Sequence, residues 1–240
     1  MKIGLVAEVK WEVREVCRQL KLTRLSAAHL WGATLQQHEI RLCLSGMVPA
    51  IAKERVDRFL DEMRPELMIS SGLAGALQPQ LSIGDVVVQS HDPSLAAAAA
   101  DALNTTSIPF QVGSLVTVSQ PVLTSAARRQ LAATTNAIGV DMESQTIAAL
   151  CKERGIACLA LKAVSDGIDD DLSPVLGGFD IIHIPRIALR VLTRPSTWPL
   201  AARLAKHSHL AADRLGHAVW TVLTRFASSA GSQSTSRMAD

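Results

Sequence analysis

The chain has 240 residues, of which 48% are hydrophobic, 19% charged and 3% aromatic, and 24 basic residues nearly balance 22 acidic ones. This apolar content excludes a disordered chain, and the formal net charge of +2 disfavours a strongly basic nucleic-acid binder. Tyrosine is absent, so stacking on aromatic side chains contributes little to any ligand site.

The sequence has no run of about 18 apolar residues, the length that a membrane-spanning helix needs. Glu8, Lys10 and Glu12 follow the first apolar stretch at once and interrupt any signal-peptide core. We therefore expect a cytoplasmic protein. Each cysteine stands alone in an apolar segment without the spacing of metal ligands, which predicts buried free thiols: Cys17, Cys43, Cys151 and Cys158.

Short apolar runs alternate with amphipathic segments, which is typical of a mixed or parallel sheet covered by helices. The predicted strands lie at 2–9, in two runs between 27 and 45, and at 67–69, 84–88, 112–118, 137–140 and 157–164. The predicted helices lie at 12–20, 48–64, 95–103, 123–131 and 144–154. Together they predict one α/β domain over residues 1–192.

The C-terminal part differs in character. Between 185 and 226, Asp213 alone opposes a set of basic residues that alternate with Leu, Ala and Val: Arg186, Arg190, Arg194, Arg203, Lys206, Arg214 and Arg225. We predict a basic helical extension at 193–227 and a disordered tail at 228–240. Two interpretations of the extension stay open. Its helices pack on the domain with their charges in solvent, or they touch anionic lipid headgroups with Trp198 and Trp220.

Three carboxylates stand at the ends of apolar strands or at strand-to-helix joins, where open α/β sheets bind ligands: Glu12, Glu143 and Asp166. Burying an unpaired carboxylate is costly, so three such positions together favour a functional interpretation. For each alone, a helix cap or a surface position is the stronger explanation, and Asp141 and Ser144 are typical caps. The glycine loop 72–75 is either a tight turn or a set of amides facing a ligand.

In this order the pieces resemble the nucleoside phosphorylase superfamily, in particular its methylthioadenosine/S-adenosylhomocysteine nucleosidases. The matching motifs are Met1-Lys2-Ile3-Gly4 with Glu12-Val13, Ser45-Gly46, Ser71-Gly72 with Ala74-Gly75, the run 81–88, Val140-Asp141-Met142-Glu143, and Ala163-Val164-Ser165-Asp166. The resemblance covers about residues 1–170. It implies a three-layer α/β/α fold with a central mixed sheet, followed here by the C-terminal helical extension, and a homo-oligomer.

A closer resemblance is to the hopanoid-associated phosphorylases or nucleosidases. It rests on Leu73 in the glycine loop, the Asp-Met-Glu-Ser motif at 141–144, and the Leu- and Arg-rich helices from Arg186 onward. This resemblance implies release of adenine from adenosylhopane during hopanoid lipid synthesis. Because that substrate is a lipid with a nucleoside head, it also gives the basic extension a reason to contact the inner face of the membrane.

The resemblance implies a role for each site residue. Asp166 is the general acid that protonates the five-membered ring of the purine, for which its pKa has to rise. Ser165 supports that carboxyl group or merely starts the next turn. Glu143 binds the ribose hydroxyls, Met142 packs against sugar and base, and Glu12 activates the attacking water.

The other implied contacts lie around the ribose and the base. Gly72 and the amides after it face the side of the ribose from which the nucleophile attacks. Where the nucleosidases place a Phe against adenine, this chain has Pro121, with Val122 beside it as a predicted substrate contact. The loop 91–93 is also shorter than in the nucleosidases. That opens the end of the pocket that holds the 5′ substituent, which suits a bulky apolar group or indicates a lost activity.

Hydrolysis is favoured over phosphorolysis because a phosphate dianion needs cationic partners. Serines occupy 70–71, where the phosphorylases place an Arg, and no Arg or Lys lies between Arg64 and Arg128. Phosphorolysis stays open if Arg41, Lys53 or a neighbouring subunit supplies charge. No metal or cofactor is expected, and phosphate is a co-substrate only in the phosphorolytic case. A nucleoside-binding, membrane-associated scaffold without activity is the alternative from another class.

Overall fold

The computed structural model describes the protein at residues 1–25, 27–178 and 184–236. Its strands are β1 (Lys2–Ala7), β2 (Thr23–Arg24), β3 (Leu30–Leu35), β4 (His38–Leu44), β5 (Leu67–Ala76), β6 (Val86–Ser90), β7 (Phe110–Val112), β8 (Leu115–Thr117), β9 (Gly139–Asp141) and β10 (Ala157–Asp166). Its helices are α1 (Arg14–Gln19), α2 (Pro49–Met63), α3 (Pro93–Leu103), α4 (Ser125–Thr135), α5 (Ser144–Glu153), α6 (Ser173–Leu176), α7 (Ile184–Thr193) and α8 (Trp198–Ser236), with a short 3₁₀ turn at Pro195–Thr197.

The strands form one mixed sheet in the order β2-β3-β4-β1-β5-β10-β6-β7, and β9 joins β5 to β8. The centre is parallel: β1 pairs with β4 and β5, and β5 pairs with β10. Because parallel strands are buried on both faces, their sequences are nearly continuous runs of apolar residues, as in β1. This parallel centre carries the ends of β1, β5 and β10 to one edge of the sheet.

Helices cover both faces of the sheet and confirm the three-layer α/β/α arrangement. On one face, α2 and α5 pack through Phe59, Leu60, Ile147 and Leu150 onto Met68 of the sheet. On the other face, a larger cluster joins α1, α3 and α8 to the sheet through the residues Val16, Ala99, Leu103, Leu215, Val219 and Leu223. Among the cysteines, all free, Cys43 and Cys151 are buried and the other two are half-buried.

Two predicted boundaries differ from the structure. The strand predicted to stop at Ile69 continues to Ala76, because the small side chains of the expected glycine loop let β5 pair with β10 and β9. The single strand predicted at 112–118 is two strands, since Gly113 interrupts it and β8 leaves β7 to pair with β9.

The C-terminal segment shares its core with the rest of the chain. Helix α8 approaches α1 so closely that a Cβ on Gly216 would lie 2.4 Å from the Cβ of Glu15. The helix continues to Ser236, nine residues into the segment that composition predicts to be disordered. Its last core turn is fixed by buried Phe226 and by a 2.9 Å contact between the His38 ring and the Ala227 carbonyl. Residues 237–240 lie outside the described residues. Across the described ranges, no helix is both long and apolar enough to cross a membrane.

Candidate active site

A cavity of about 780 Å³ lies at the edge of the sheet where β1, β5 and β10 end. This volume is in the upper part of the range typical of small-molecule sites, roughly 300–1,000 Å³. The cavity is lined by every site residue that the sequence predicts: Glu12, Gly72, Val122, Met142, Glu143, Ser165 and Asp166. The structure therefore brings together side chains that are up to 154 positions apart in the chain, 12 to 166.

Glu12 follows β1 and is almost completely buried. Burial raises its pKa to about 8, and the negative charge of Glu8 adds to the effect. Glu8, which the sequence analysis did not single out, lines the same cavity, and burial followed by repulsion from Glu143 raises its pKa to about 7. Both carboxyl groups therefore change protonation near neutral pH.

Lys162 supplies a positive charge near Glu8 and Glu12, and the sequence analysis gave it no role. It lies in the middle of β10, its side chain is 3% exposed, and its Nζ is 3.3 Å from Asp141 Oδ2. Burial lowers the pKa of Lys162, but Asp141, Glu143 and Glu12 outweigh burial and raise it. A charged residue inside an otherwise apolar strand was the signal that could have revealed it.

Gly72 provides the space for these two charged side chains. A Cβ at this position would lie 2.9 Å from Lys162 Nζ and 3.8 Å from Glu12 Oε2. Any larger residue would displace the ammonium group from its carboxylates. The glycine predicted to face the nucleophile therefore allows a cation and a buried carboxyl group to lie side by side.

Glu143 is held in the cavity by Ser45, whose hydroxyl donates a 2.9 Å hydrogen bond to Oε1. Burial raises the pKa of Glu143 against the lowering effects of Lys162 and Ser45. Next to it, Met142 lines both this cavity and a second cavity of about 320 Å³, and Met47 is also shared by the two. The second cavity extends the space behind the predicted ribose side.

Asp141 differs from Glu143 because its carboxylate is occupied by hydrogen bonds from the protein itself. Its carboxylate accepts hydrogen bonds from the Ser144 backbone at 3.0 Å and from the Thr117 hydroxyl at 2.7 Å. Asp141 therefore holds the start of α5 and pairs with Lys162. The N-cap position itself belongs to Glu143, whose side chain makes no capping hydrogen bond, and Ser144 is the first residue of the helix, so neither predicted cap occupies the cap position.

Asp166 and Ser165 both line the cavity because β10 contains a β-bulge. Val164 pairs with Ala74 and Asp166 with Gly75, so Ser165 is the extra residue in the ladder. A bulge re-aims side chains that would otherwise alternate between the two faces. The Ser165 hydroxyl donates to Asp166 Oδ1, which favours its predicted supporting position over a simple turn.

Arg128 is the partner that the sequence did not reveal. This residue of α4 is buried, lines the cavity and forms an ion pair with Asp166 Oδ2. The sequence predicts that burial governs the Asp166 carboxyl group, whereas the structure gives that group a buried cation. Two adjacent arginines stand in α4, and composition alone does not tell which of Arg128 and Arg129 turns inward.

The side of the cavity where the base is expected has Val118, Pro121 and Val122. The position expected to hold a Phe is therefore occupied by aliphatic groups, as predicted. Trp11, which is 46% exposed, lines the cavity elsewhere and was not foreseen as a site residue.

The remaining wall of the cavity is built by α6, α7 and α8. It is mostly apolar and includes Val175, Leu176, Ile187, Val191, Ala201, Leu204 and Ala205, with Ser208 and His209 on α8. The shortened loop after β6 leads directly into α3, as predicted, so the C-terminal helices supply this part of the enclosure.

The two distant cations considered for phosphate binding do not line the first cavity. Arg41 pairs with Glu39 at the partly exposed surface of β4, and Lys53 lines the second cavity, which shares Met47 and Met142 with the first. Across the described ranges, no group of three or more His, Cys, Asp and Glu side chains is arranged to hold a metal ion.

Comparison with known sequences places these features in a family context. The sequence profile described as the phosphorylase superfamily matches residues 2–91 and 89–177. A 5′-methylthioadenosine/S-adenosylhomocysteine nucleosidase of Buchnera aphidicola subsp. Schizaphis graminum is 26% identical over 202 residues, which cover 71% of this chain and 86% of the relative. The nucleosidase of the same name from Staphylococcus epidermidis is 25% identical over 195 residues, covering 68% and 86%.

Solved structures share the fold. An S-adenosylhomocysteine nucleosidase from Streptococcus pyogenes, in complex with 5-methylthiotubericidin, superposes with a TM-score of 0.73 at 20% identity and covers 93% of this chain and 96% of its own. A futalosine hydrolase of Helicobacter pylori gives a TM-score of 0.68 at 19% identity, with 91% and 97% covered.

Proposed function

Because the chain belongs to the phosphorylase superfamily, we propose that it hydrolyses the N-glycosidic bond of a 5′-substituted adenosine and releases adenine. The observation that carries the proposal is a single cavity lined by Glu12, Glu143 and Asp166 at the ends of three strands or strand-to-helix joins. Relatives named 5′-methylthioadenosine/S-adenosylhomocysteine nucleosidase support the reaction class.

The chemistry follows from the charges that develop during cleavage. As the C1′–N9 bond breaks, its electron pair moves to the purine and the ribose becomes cation-like. Asp166 supplies a proton to the five-membered ring, and Glu143 accepts hydrogen bonds from the ribose hydroxyls. A water attacks C1′ and loses its proton to Glu12, so the products are adenine and the free sugar.

The charge balance around Glu12 favours water over phosphate. Four carboxyl groups, Glu8, Glu12, Asp141 and Glu143, lie in one electrostatic cluster with Lys162. A phosphate dianion brought into this cluster would meet repulsion from the carboxylates that are ionised, and the Lys162 ammonium is already paired with Asp141. Phosphorolysis is kept as a second candidate only because Lys162 places a cation beside Gly72.

The apolar wall supports a bulky apolar 5′ substituent, with adenosylhopane as the favoured substrate. The wall residues Ile187, Val191 and Leu204 come from the two C-terminal helices and offer few hydrogen-bonding groups. An apolar group gains about 25 cal/mol for each Å² that it buries, so such a wall favours hydrocarbon over a charged tail. Methylthioadenosine and S-adenosylhomocysteine are the alternatives among 5′-substituted adenosines.

We also propose that the enzyme is cytoplasmic and contacts an anionic membrane surface peripherally. Leu189, Leu192 and Trp198 are 61%, 74% and 55% exposed, and exposed Arg186 and Arg194 stand on the same short stretch. Apolar side chains beside basic ones are what an interfacial helix presents to lipid. Helices α7 and α8 line the cavity with their opposite side, which would bring a lipid-linked nucleoside close to the site.

The membrane proposal is tested with full-length protein, since α8 belongs to the core. Leu189→Gln with Leu192→Gln is expected to reduce co-sedimentation with phosphatidylserine-containing vesicles several-fold. Val112→Gln on β7, where Val112 is 55% exposed, is the matched control and should behave as wild type. Equal sedimentation of all three proteins would leave the helices as packing elements only. The predicted homo-oligomer is tested separately by measuring the mass in solution.

The function itself is tested by measuring free adenine from methylthioadenosine, S-adenosylhomocysteine, adenosine and an adenosylhopane, each with and without phosphate. We expect phosphate-independent release that is fastest for the apolar 5′ substituent. Strict phosphate dependence would instead identify a phosphorylase. Asp166→Asn is expected to abolish release while binding survives. Tight binding without any turnover by the wild type would support the non-catalytic scaffold.

A further inference from the structure

We propose that Arg128 is a positioning residue for Asp166: its guanidinium fixes one oxygen of the carboxyl group and leaves the other oxygen to deliver the proton. The inference deepens the proposed function and rests on it. It arises from a buried ion pair at the cavity wall that sequence reasoning did not anticipate.

Arg128 is anchored independently of Asp166. Its guanidinium donates hydrogen bonds of 3.0 Å to the carbonyl of Val122 and of 3.0 Å to the carbonyl of Gly167. One carbonyl precedes α4 and the other follows β10, so the side chain ties together the segments that line the base side of the cavity. Because a guanidinium is planar with fixed N–H directions, these two bonds determine where its charge meets Asp166.

The backbone at Gly75 confines the pair from the other side. A Cβ there would lie 2.8 Å from Asp166 Oδ2 and 2.9 Å from the nearest Arg128 nitrogen. The carboxyl group therefore has its Oδ2 enclosed between Gly75 and Arg128. The Arg128 side chain is 2% exposed and that of Asp166 is 14% exposed, so the acid lies closer to solvent than its cation.

The two oxygens of Asp166 have different freedom. Oδ2 faces a guanidinium, which has only donors and is fixed by two carbonyls. Oδ1 accepts from the Ser165 hydroxyl, which can rotate to a new partner. The geometry therefore assigns proton delivery to Oδ1.

Other charged groups around Asp166 are engaged elsewhere. On the loop after β10, Asp169 pairs with Arg129 and Asp170 pairs with Arg203 of α8. Lys162 of β10 pairs with Asp141 of β9. The cavity also receives Glu8 and Glu12 from the segment after β1, Glu143 from the start of α5 and His209 from α8. Arg128 is the cation in direct contact with the Asp166 side chain among the described residues.

The test compares Arg128→Gln, Arg128→Lys and the matched control Arg129→Gln, which removes the neighbouring exposed arginine of the same helix. For Arg128→Gln we expect kcat for adenine release to fall about 10- to 100-fold with KM changed less than about threefold. Arg128→Lys keeps the charge without the planar fork and should recover part of the lost kcat, and Arg129→Gln should match the wild type.

A second measurement does not depend on turnover. In a crystal structure of Arg128→Gln, the Asp166 carboxyl group should leave its position between Gly75 and residue 128. Gly75→Ala, whose new Cβ separates the pair without removing a charge, should lower kcat in the same way with KM little changed. An unchanged carboxyl orientation and an unchanged kcat in folded variants would reduce Arg128 to a packing residue. Absence of adenine release by the wild type would refute the proposed function, while the carboxyl orientation in Arg128→Gln would still decide the role of Arg128.

Discussion

The floor and the wall of the cavity differ in both origin and character. The floor is made from strand ends far apart in the sequence, and it concentrates Glu8, Glu12, Glu143, Lys162 and Asp166. The wall comes from one continuous C-terminal part of the chain and is almost entirely apolar. Under the proposed function, this difference assigns the reaction to the floor and the choice of substrate to the wall.

The largest effect is expected at the floor. Under the proposed mechanism, Glu12→Gln removes the group that accepts the proton of the attacking water, so kcat for adenine release should fall about 10²- to 10⁴-fold. Glu66→Gln, at a surface position where the side chain is 63% exposed, is the control. The effect is measured as the steady-state rate at which free adenine appears. Retained activity in Glu12→Gln would place the base elsewhere.

Substitutions in the wall should change the preference between substrates. Leu204→Gln puts an amide into the apolar wall, so kcat/KM for an adenosine with a bulky apolar 5′ group should fall about 10- to 100-fold, and adenosine itself should change little. Leu210→Gln is the control, since Leu210 lies on the same helix, is 41% exposed and does not line the cavity. An equal loss for both substrates would contradict the division between floor and wall.

A smaller change is expected in the pH dependence of the floor. The charge of Glu8 helps to raise the pKa of Glu12 to about 8. Glu8→Gln should therefore lower that pKa and move the rising limb of kcat/KM toward acid by about one pH unit. The measurement is kcat/KM from pH 5 to 10, because this ratio reports the free enzyme. A limb that stays in place would show that Glu12 and Glu8 titrate independently.

The last expected effect is on the pH dependence of the free energy of unfolding. Burial raises the pKa of Glu12 from 4.5 to about 8, so between these values the folded state holds a proton that the unfolded state has lost. The free energy of unfolding should then decrease with rising pH, by up to about 1.4 kcal/mol per pH unit for this group. Denaturant titrations of Glu12→Gln should show a weaker decrease. A pH dependence identical to that of the wild type would assign the protonation to other groups.

The floor was largely predictable because strand ends can be read from the sequence. Buried runs such as β1 locate the sheet, and the residues that follow such runs gather at its edge. The motifs around Glu143 and Asp166 then supplied roles by resemblance. All seven expected residues line one cavity, and the roles given to them stay predictions.

The sequence did not reveal which charged side chains pair with one another. Lys162 and Asp141 meet only because β10 and β9 lie on the two sides of β5. Arg128 meets Asp166 only because one face of α4 turns toward the end of β10. Such contacts depend on register and helix rotation, which periodicity determines poorly for a helix with arginines at two successive positions.

The β-bulge at Ser165 adds a hydroxyl beside the acid without changing the register of the acid. Val164 lies opposite Ala74 and Asp166 opposite Gly75, so Ser165 is the extra residue of the strand. Deletion of Ser165 would leave the aspartate opposite Gly75, but it would remove the hydroxyl that donates to Oδ1. In this fold a change in the length of one strand can thus alter the partners of the acid with no substitution at the acid itself.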